Sequence, residues 1–332
     1  MSGTAGSVNA RSPWLSFAAW RTLFRDRPIV PLLVLLAILL VIREAARPGI
    51  FSADFAGTAL RAAVPLAIVA CCQTLTMLTG GIDLSVGAVA SMAGFVVATL
   101  VGGQGLVVAI LAALAIAALV GLLTGIGVGV FRVHPLIMTL GMGLVVLGLA
   151  NVWQLAMVQT GAGVAPAMRT LGSDRLFGIL PYSLTVFVPL AILVLVGLRR
   201  TGYGRMLYAI GDNPIAARLS GARSWKVLVI LYVISALLAA VAGFLISGLT
   251  NVASVTLADS YVLPSVAAAV IGGTSILGGR GGFAGTIVGA LILTVLTSLL
   301  SVFGLPEAVR QVLFGSIIVA VAAAYTRVTG ET

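Results

Sequence analysis

Long runs without Asp, Glu, Lys or Arg dominate the pattern of the chain. A helix needs about 20 apolar residues to cross a bilayer core of about 30 Å, and the runs reach that length repeatedly. Pro28–Ile42 is short but extends if Arg43 snorkels to the interface. Ala62–Ile82 is one span, and Leu84–Phe131 holds two, broken at Gly102-Gly103-Gln104-Gly105. Val133–Met168 carries a span and a polar tail (Gln159-Thr160-Gly161-Ala162-Gly163); Leu176–Leu198 and Val227–Ala258 follow. Ser260–Gly279, Gly281–Pro306 and Pro306–Thr326 bring the expected number to ten. In the eighth, Gly272-Gly273 and Gly278-Gly279 leave few good helical residues, so it is expected to be broken or re-entrant.

Composition agrees with this pattern. Of 332 residues, 60% are hydrophobic and 8% charged, against about 25% charged in a soluble domain. A soluble globular chain and a disordered one are both excluded, leaving an all-α polytopic membrane protein. The net charge of +10 therefore reports orientation and not nucleic-acid binding. With the N-terminus inside, Arg11, Arg21, Arg25, Arg27, Arg132, Arg199, Arg200, Arg205, Arg218, Arg223, Lys226, Arg280 and Arg327 all fall on the cytoplasmic side. The outer loops hold only Arg43, Arg47, Arg169 and Arg175. The expected organisation is a cytoplasmic segment 1–27, one transmembrane domain 28–326 with a cytoplasmic segment 199–226, and a cytoplasmic tail 327–332. No removable signal peptide is expected in the polar, basic start.

Glycine and other small residues let helix backbones approach in lipid, where there is little hydrophobic drive between helices. Gly121, Gly125 and Gly129 recur on one helix face, and Gly141, Gly285 and Gly289 read as further packing positions. Cys71 and Cys72 read as two buried thiols, since adjacent cysteines are poor disulfide partners.

Chemistry in the membrane interior is sparse. Asp83, His134, Asp259 and Glu307 are the candidate ionisable groups, all at span ends. There is one histidine, no Ser/His/Asp triad and no metal-ligand spacing, which argues against catalysis, a metal or a cofactor in this chain. Without an internal ion relay or a phosphate-binding loop, driving energy would come from another polypeptide. His134 reads as an interfacial residue before a helix that starts at Pro135. Gly80-Gly81-Ile82-Asp83-Leu84-Ser85 reads as a tight turn, in which Asp83 or Ser85 suits the N-cap of the next helix or Asp83 contacts a partner.

The segment 199–226 carries the strongest signal. Asn213 is a good N-cap, Pro214 fits the first helical position, and Gly221 suits a left-handed residue after the last turn. The expected helix, Pro214 to Ser220, has Ile215 and Leu219 on one face and Ala216 and Ala217 leaving the backbone accessible. It reads either as a docking element for another protein or as an ordinary amphipathic loop helix.

Four stretches together resemble the permease subunits of ribose-type sugar ABC importers, in the branched-chain amino acid and ribose permease family. They are Leu78–Gly87, Pro135–Gly141, the segment Gly202–Arg205 with Ala209–Gly221, and Gly272–Gly282. Leu136, where the family usually has Phe, and Ala222, where Ile is common, are mild departures. The resemblance implies a vitamin B12-importer-like (type II) fold in a bacterial inner membrane with both termini cytoplasmic. It also implies a second permease copy, a periplasmic sugar-binding protein, and an ATPase with two fused nucleotide-binding domains that holds the ATP and Mg. The coupling helix to that ATPase would map onto Gly211, Asp212, Asn213, Pro214, Ala216, Ala217, Arg218, Ser220 and Gly221, with Arg205 and Arg218 as ATPase-facing charges. Gly80, Gly81, Asp83 and Ser85 would form the family's motif turn. The expected cargo is a pentose or hexose; a nucleoside or other small polar solute, or a passive carrier or channel for a neutral solute, are the alternatives.

Overall fold

The computed structural model describes residues 29–49, 52–157 and 163–329. The expected N-terminal segment 1–27, most of the polar tail around Gln159 and the last three residues lie outside them.

The apolar runs form helices α1 (Ile29–Ala46), α2 (Ala53–Met77), α3 (Val86–Gln104), α4 (Leu106–Gly129) and α5 (Pro135–Ala156). A short helix α6 (Pro166–Ser173) precedes a two-stranded hairpin, β1 (Arg175–Leu176) and β2 (Leu180–Pro181), paired antiparallel. Then come α7 (Leu184–Arg200), α8 (Gly202–Asp212), α9 (Pro214–Leu219), α10 (Ser224–Thr250), a 3-10 turn (Asp259–Tyr261), α11 (Val262–Ile271), α12 (Phe283–Val302) and α13 (Glu307–Thr329).

Among the described residues, seven helices are long and apolar enough to cross a membrane: α1 to α5, α10 and α12. Helix α7 bends by 67° into α8 and makes an eighth if the pair is one span. Helix α11 has 10 residues, about 15 Å at 1.5 Å per residue, or half a bilayer core. From there the chain continues through Gly273, Gly278, Gly279 and Gly281, all at positive φ, as irregular backbone. The glycine pairs thus end the eighth helix early.

Helix α10 is the axis of the bundle and packs against α2, α3, α4 and α6. The glycine stripe on α4 makes one of these contacts close. A Cβ on Gly121, Gly125 or Gly129 would lie 2.5 Å from Tyr232 O, 2.6 Å from Val229 Cα and 2.8 Å from Trp225 O, respectively. Gly285 and Gly289 approach the Gly272 and Ala268 carbonyls in the same way. Gly141 is a correction: nothing lies within 4 Å of where its Cβ would be, so it is not a packing position. Cys71 and Cys72 are free thiols buried beside α10. The outer faces of α1, α4, α5 and α7 are lined by exposed leucine, isoleucine and valine, including Val41, Leu111, Leu155 and Leu193, the surface expected against lipid tails.

Three boundaries differ from the sequence reading. Helix α2 starts at Ala53 and not at Ala62, because Ser52 caps it by accepting from Phe55 N at 3.2 Å. Its polar first turns are held by partners: Asp54 by Arg175, and Arg61 by Ser173 O at 2.7 Å. The span expected from Leu176 begins at Leu184, since Phe177 and Gly178 adopt positive φ and turn the hairpin. The span expected to reach Ala258 stops at Thr250, where Asn251 is left-handed.

Candidate functional site

All four singled-out stretches meet at one end of the bundle, the end that carries the basic segment 199–226. Its entry is the bend at Thr201, which accepts from Gly204 N at 3.1 Å. Gly204 packs there so closely that a Cβ would lie 2.3 Å from Leu198 O. Helix α8 then runs to Gly211, the tightest point of the site: a Cβ on it would lie 1.9 Å from Leu78 O and 2.5 Å from Gly279 N. Gly279 N itself donates to Leu78 O at 3.1 Å, and Gly279 and Asp212 are in backbone contact. Tyr208 adds a tie by donating to Gly281 O at 3.0 Å. Three separate chain segments, 78–80, 208–212 and 277–281, therefore form one backbone-to-backbone knot.

The short helix α9 projects from this knot. Asn213 Oδ1 accepts from Ile215 N at 3.0 Å and Ala216 N at 2.9 Å, satisfying two of the free amides at the helix start. At the other end Ala222 N bonds Ala217 O, Gly221 N bonds Arg218 O, and Gly221 sits at φ 86°, the left-handed conformation glycine adopts without steric cost. Ala217 is buried and anchors the helix. Pro214, Ala216, Arg218 and Ser220 are exposed, and Ile215 and Leu219 are 64% and 85% exposed. Arg205 and Arg218 are exposed with no carboxylate partner among the described residues. A cavity of ≈420 Å³ beside α9 is bordered by Arg132, Arg218 and Arg223. A capped helix with bare apolar side chains and unpaired guanidiniums, outside the apolar spans, is a protein-docking surface in chemical character.

Replacing Asn213 with alanine is expected to cost this helix about 1 kcal/mol of capping free energy. Amide hydrogen exchange in residues 214–220 should then speed up several-fold, with Asn213→Asp retaining most of the protection. Equal exchange for the alanine variant and wild type would show that the cap is dispensable.

The turn after α2 is held from within. Asp83 Oδ1 accepts from Ser85 N at 3.0 Å and from Ser85 Oγ at 2.6 Å, and Oδ2 accepts from Ser235 Oγ of α10 at 2.9 Å. Gln73 closes a pair of bonds with the Asp83 backbone, at 2.7 Å to its carbonyl and 3.2 Å from its amide. Thr139, in the Pro135–Gly141 stretch, accepts from Leu84 N at 3.1 Å and donates to Ile82 O at 3.0 Å. Gly81 is pressed between Pro135 and Tyr232, its Cβ position 3.0 Å from Pro135 Cβ. Gly80, at φ 79°, lets the chain reverse beside Leu277.

The capping role expected of Asp83 or Ser85 needs correction. Ser85 occupies the N-cap position of α3 but makes no side-chain cap bond: its backbone is helical, at φ -79° and ψ -15°, and not in the extended geometry of an N-cap. The Asp83 carboxylate accepts from Ser85, ahead of the first helical residue of α3, through one oxygen and from α10 through the other. It latches the turn to the bundle axis and is 2% exposed, so direct contact with a partner protein is closed to it here. Ser235, Gln73 and Tyr208 were not singled out in the sequence; Ser235 stands alone among apolar neighbours, whereas Gln73, beside Thr74 and Thr76, and Tyr208, between Arg205 and Asp212, carry no such local signal. His134 precedes α5, exposed and without a cap bond, with Pro135 in the first turn as expected. Among the described residues no group of His, Cys, Asp and Glu could hold a metal ion.

Residues 55–322 match the family described as the permease component of the branched-chain amino acid transport system. Curated relatives include the ribose import permease protein RbsC of Escherichia coli K12, 36% identical over 86% of this chain and 88% of that protein. The fructose import permease protein FrcC of Rhizobium meliloti is 32% identical over 87% and 82%, respectively. The galactofuranose transporter permease protein YtfT of Escherichia coli K12 is 33% identical over 79% and 76%. No solved structure matches the chain. Apolar spans, four converging motif stretches and a match over most of its length place the chain in the branched-chain amino acid transport system permease family, as a membrane transport subunit and not an enzyme.

Proposed function

We propose that this chain is the permease subunit of an ATP-driven ABC importer for a monosaccharide, a pentose or hexose, in the bacterial inner membrane. Two permease copies line the pathway, a periplasmic binding protein delivers the sugar, and a cytoplasmic ATPase with two fused nucleotide-binding domains holds the ATP and Mg. Segments 1–27 and 327–332 are cytoplasmic and flank one transmembrane domain, 28–326, whose segment 199–226 faces the ATPase. The knot at Gly211 carries this reading. Helix α9 is anchored to backbone that is simultaneously in contact with the turn after α2 and the loop after α11.

That arrangement suits a lever. Leu219 and Ile215 would enter a groove on the ATPase, with Arg205 and Arg218 meeting its acidic groups. When ATP binding closes the ATPase, α9 moves with it. Because Gly211 touches Leu78 and Gly279 without intervening side chains, the displacement passes undamped to α2, α3 and the broken eighth element, switching the pathway between its two faces. The names of the relatives, import permeases for ribose and fructose and a transporter permease for galactofuranose, support a monosaccharide as cargo.

The test is reconstitution. The purified chain alone in proteoliposomes should show no concentrative uptake of D-ribose or D-fructose. Adding its ATPase and binding protein, with ATP, should produce it. Concentrative uptake without an ATPase would overturn the importer reading, and equilibration without the ATPase would favour a passive carrier.

A further inference from the structure

At the end of the bundle opposite the knot lies a cavity of ≈530 Å³, between the first turns of α2, the 3-10 turn, the last turns of α12 and the start of α13. That volume falls within the ~300–1,000 Å³ range of small-molecule sites. One wall is built by α12, which presents Thr294, Thr297, Ser298 and Ser301. Their spacing, i, i+3, i+4 and i+7, puts four hydroxyls on one helical face. Phe55 and Tyr261 add flat aromatic surfaces to the lining, and the half-exposed Glu307 completes it.

Two ordinary explanations of a hydroxyl stripe fail here. It is not a lipid-facing surface, since the lipid-facing helices of this chain are lined with leucine, isoleucine and valine. Nor does it serve as glue between helices. Thr294 and Ser301 donate only to carbonyls of their own helix, at 2.8 Å each. Thr297 and the Tyr261 hydroxyl make no side-chain hydrogen bond among the described residues. Ser298 alone is reached from another helix, accepting from Arg43 Nε at 3.4 Å. Arg43 is buried and fixed, donating to Arg47 O at 2.8 Å and lying 5.2 Å from the Phe55 ring centre, so it braces the wall from behind. Glu307 accepts from Arg310 at 3.0 Å through one oxygen, leaving the other as an acceptor.

We propose that this outer cavity is a saccharide site within the permease, where the sugar rests after release from the binding protein and before the pathway switches. The inference rests on the importer reading and names the place of its substrate. Free donors (Thr297, Tyr261, Ser298) and acceptors (Glu307 and the spare lone pairs of Thr294 and Ser301) match a polyol, whose hydroxyls need both. The aromatic faces take the C–H side of the sugar ring. Glu307 is the one charged side chain among the lining residues and is already paired with Arg310, so the site suits a neutral polyhydroxy ligand over an amino acid.

The experiment uses the complete transporter in proteoliposomes and measures uptake of D-ribose and D-fructose together with ATP hydrolysis stimulated by the loaded binding protein. Thr297→Leu removes a hydroxyl and pushes apolar bulk into the cavity, and is expected to lower the initial rate of uptake ~10-fold or more. Tyr261→Phe removes one hydroxyl and is expected to lower it ~3- to 10-fold, the loss of one or two hydrogen bonds. Thr297→Ser should retain uptake, and stimulated ATP hydrolysis should stay within about twofold of wild type in all three, since the contacts of the ATPase lie at the other end. Wild-type uptake in both Thr297→Leu and Tyr261→Phe overturns the site. So does a fall in ATP hydrolysis in step with uptake, or loss of the permease dimer on gel filtration, each of which assigns the cavity to packing or subunit contact. A wild-type transporter that accumulates neither sugar overturns the importer reading for these sugars, and the site with it.

Discussion

Gly211→Val abolishes coupled uptake by the reconstituted transporter. The valine Cβ would be placed 1.9 Å from Leu78 O and 2.5 Å from Gly279 N. No rotamer relieves a Cβ clash with backbone, so the bond from Gly279 to Leu78 must break and the two segments must separate. Overpacking of this kind costs about 1–3 kcal/mol or more. Its larger effect here is mechanical, since helix α9 loses its seat on the α2 turn. Uptake should drop at least ~100-fold, a loss of about 2.7 kcal/mol in coupling at 1.36 kcal/mol per decade, while the binding-protein-independent ATP hydrolysis of the complex persists. The comparison is Gly221→Ala. There the space is open and only the left-handed φ of 86° opposes a side chain, so the cost is about 1–2 kcal/mol and uptake should survive in part. Equal activities for the two variants would remove Gly211 from the lever.

Asp83→Ala is expected to be the most destabilising single substitution at the turn. It leaves the Ser85 amide, the Ser85 hydroxyl and the Ser235 hydroxyl without their acceptor in a buried place. At about 1–3 kcal/mol for each unsatisfied buried group, with some regained by local rearrangement, a loss of about 3 kcal/mol follows. Ser235→Ala removes one bond to the carboxylate and should cost about 1 kcal/mol. Since the two residues share one hydrogen bond, the double variant should be little worse than Asp83→Ala alone, the non-additivity expected of contacting residues. Thermal unfolding in detergent measures all three. An unchanged melting temperature for Asp83→Ala would show that the latch contributes nothing to the fold.

Some of this architecture was readable in the chain because it depends on local rules. The break between α3 and α4 follows from Gly102 to Gly105, of which Gly105 takes φ 79° and ends the helix. The cap and stop of α9 follow from Asn213, Pro214 and Gly221, whose preferences act within a few residues of themselves. The early end of the eighth helix follows from Gly272-Gly273 for the same reason. The misreadings share the opposite cause. Leu176 and Ala258 looked like parts of spans because hydropathy counts apolar side chains and is blind to backbone hand: left-handed Phe177 turns the hairpin before α7, and left-handed Asn251 ends α10. Asp83 looked like a cap because its spacing to α3 suits one, whereas its partner, Ser235, is 152 positions away. Gly141 resembled the α4 glycines, yet whether a glycine packs depends on which helix lies opposite.

The sequence by itself determined that this chain lives in a membrane, which end of it collects the positive charge, where its short exposed helix starts and stops, and, through four ordered stretches, the family to which it belongs. These are properties of composition and of neighbouring residues. Only the tertiary structure decided that those four stretches form a single knot, that Gly211 rather than the exposed helix is its tightest point, and that the hydroxyls of α12 open onto a cavity. Backbone approach and cavity walls are relations between segments far apart in the chain, and in a membrane small residues permit such approaches at many positions while helix packing selects the few that are used.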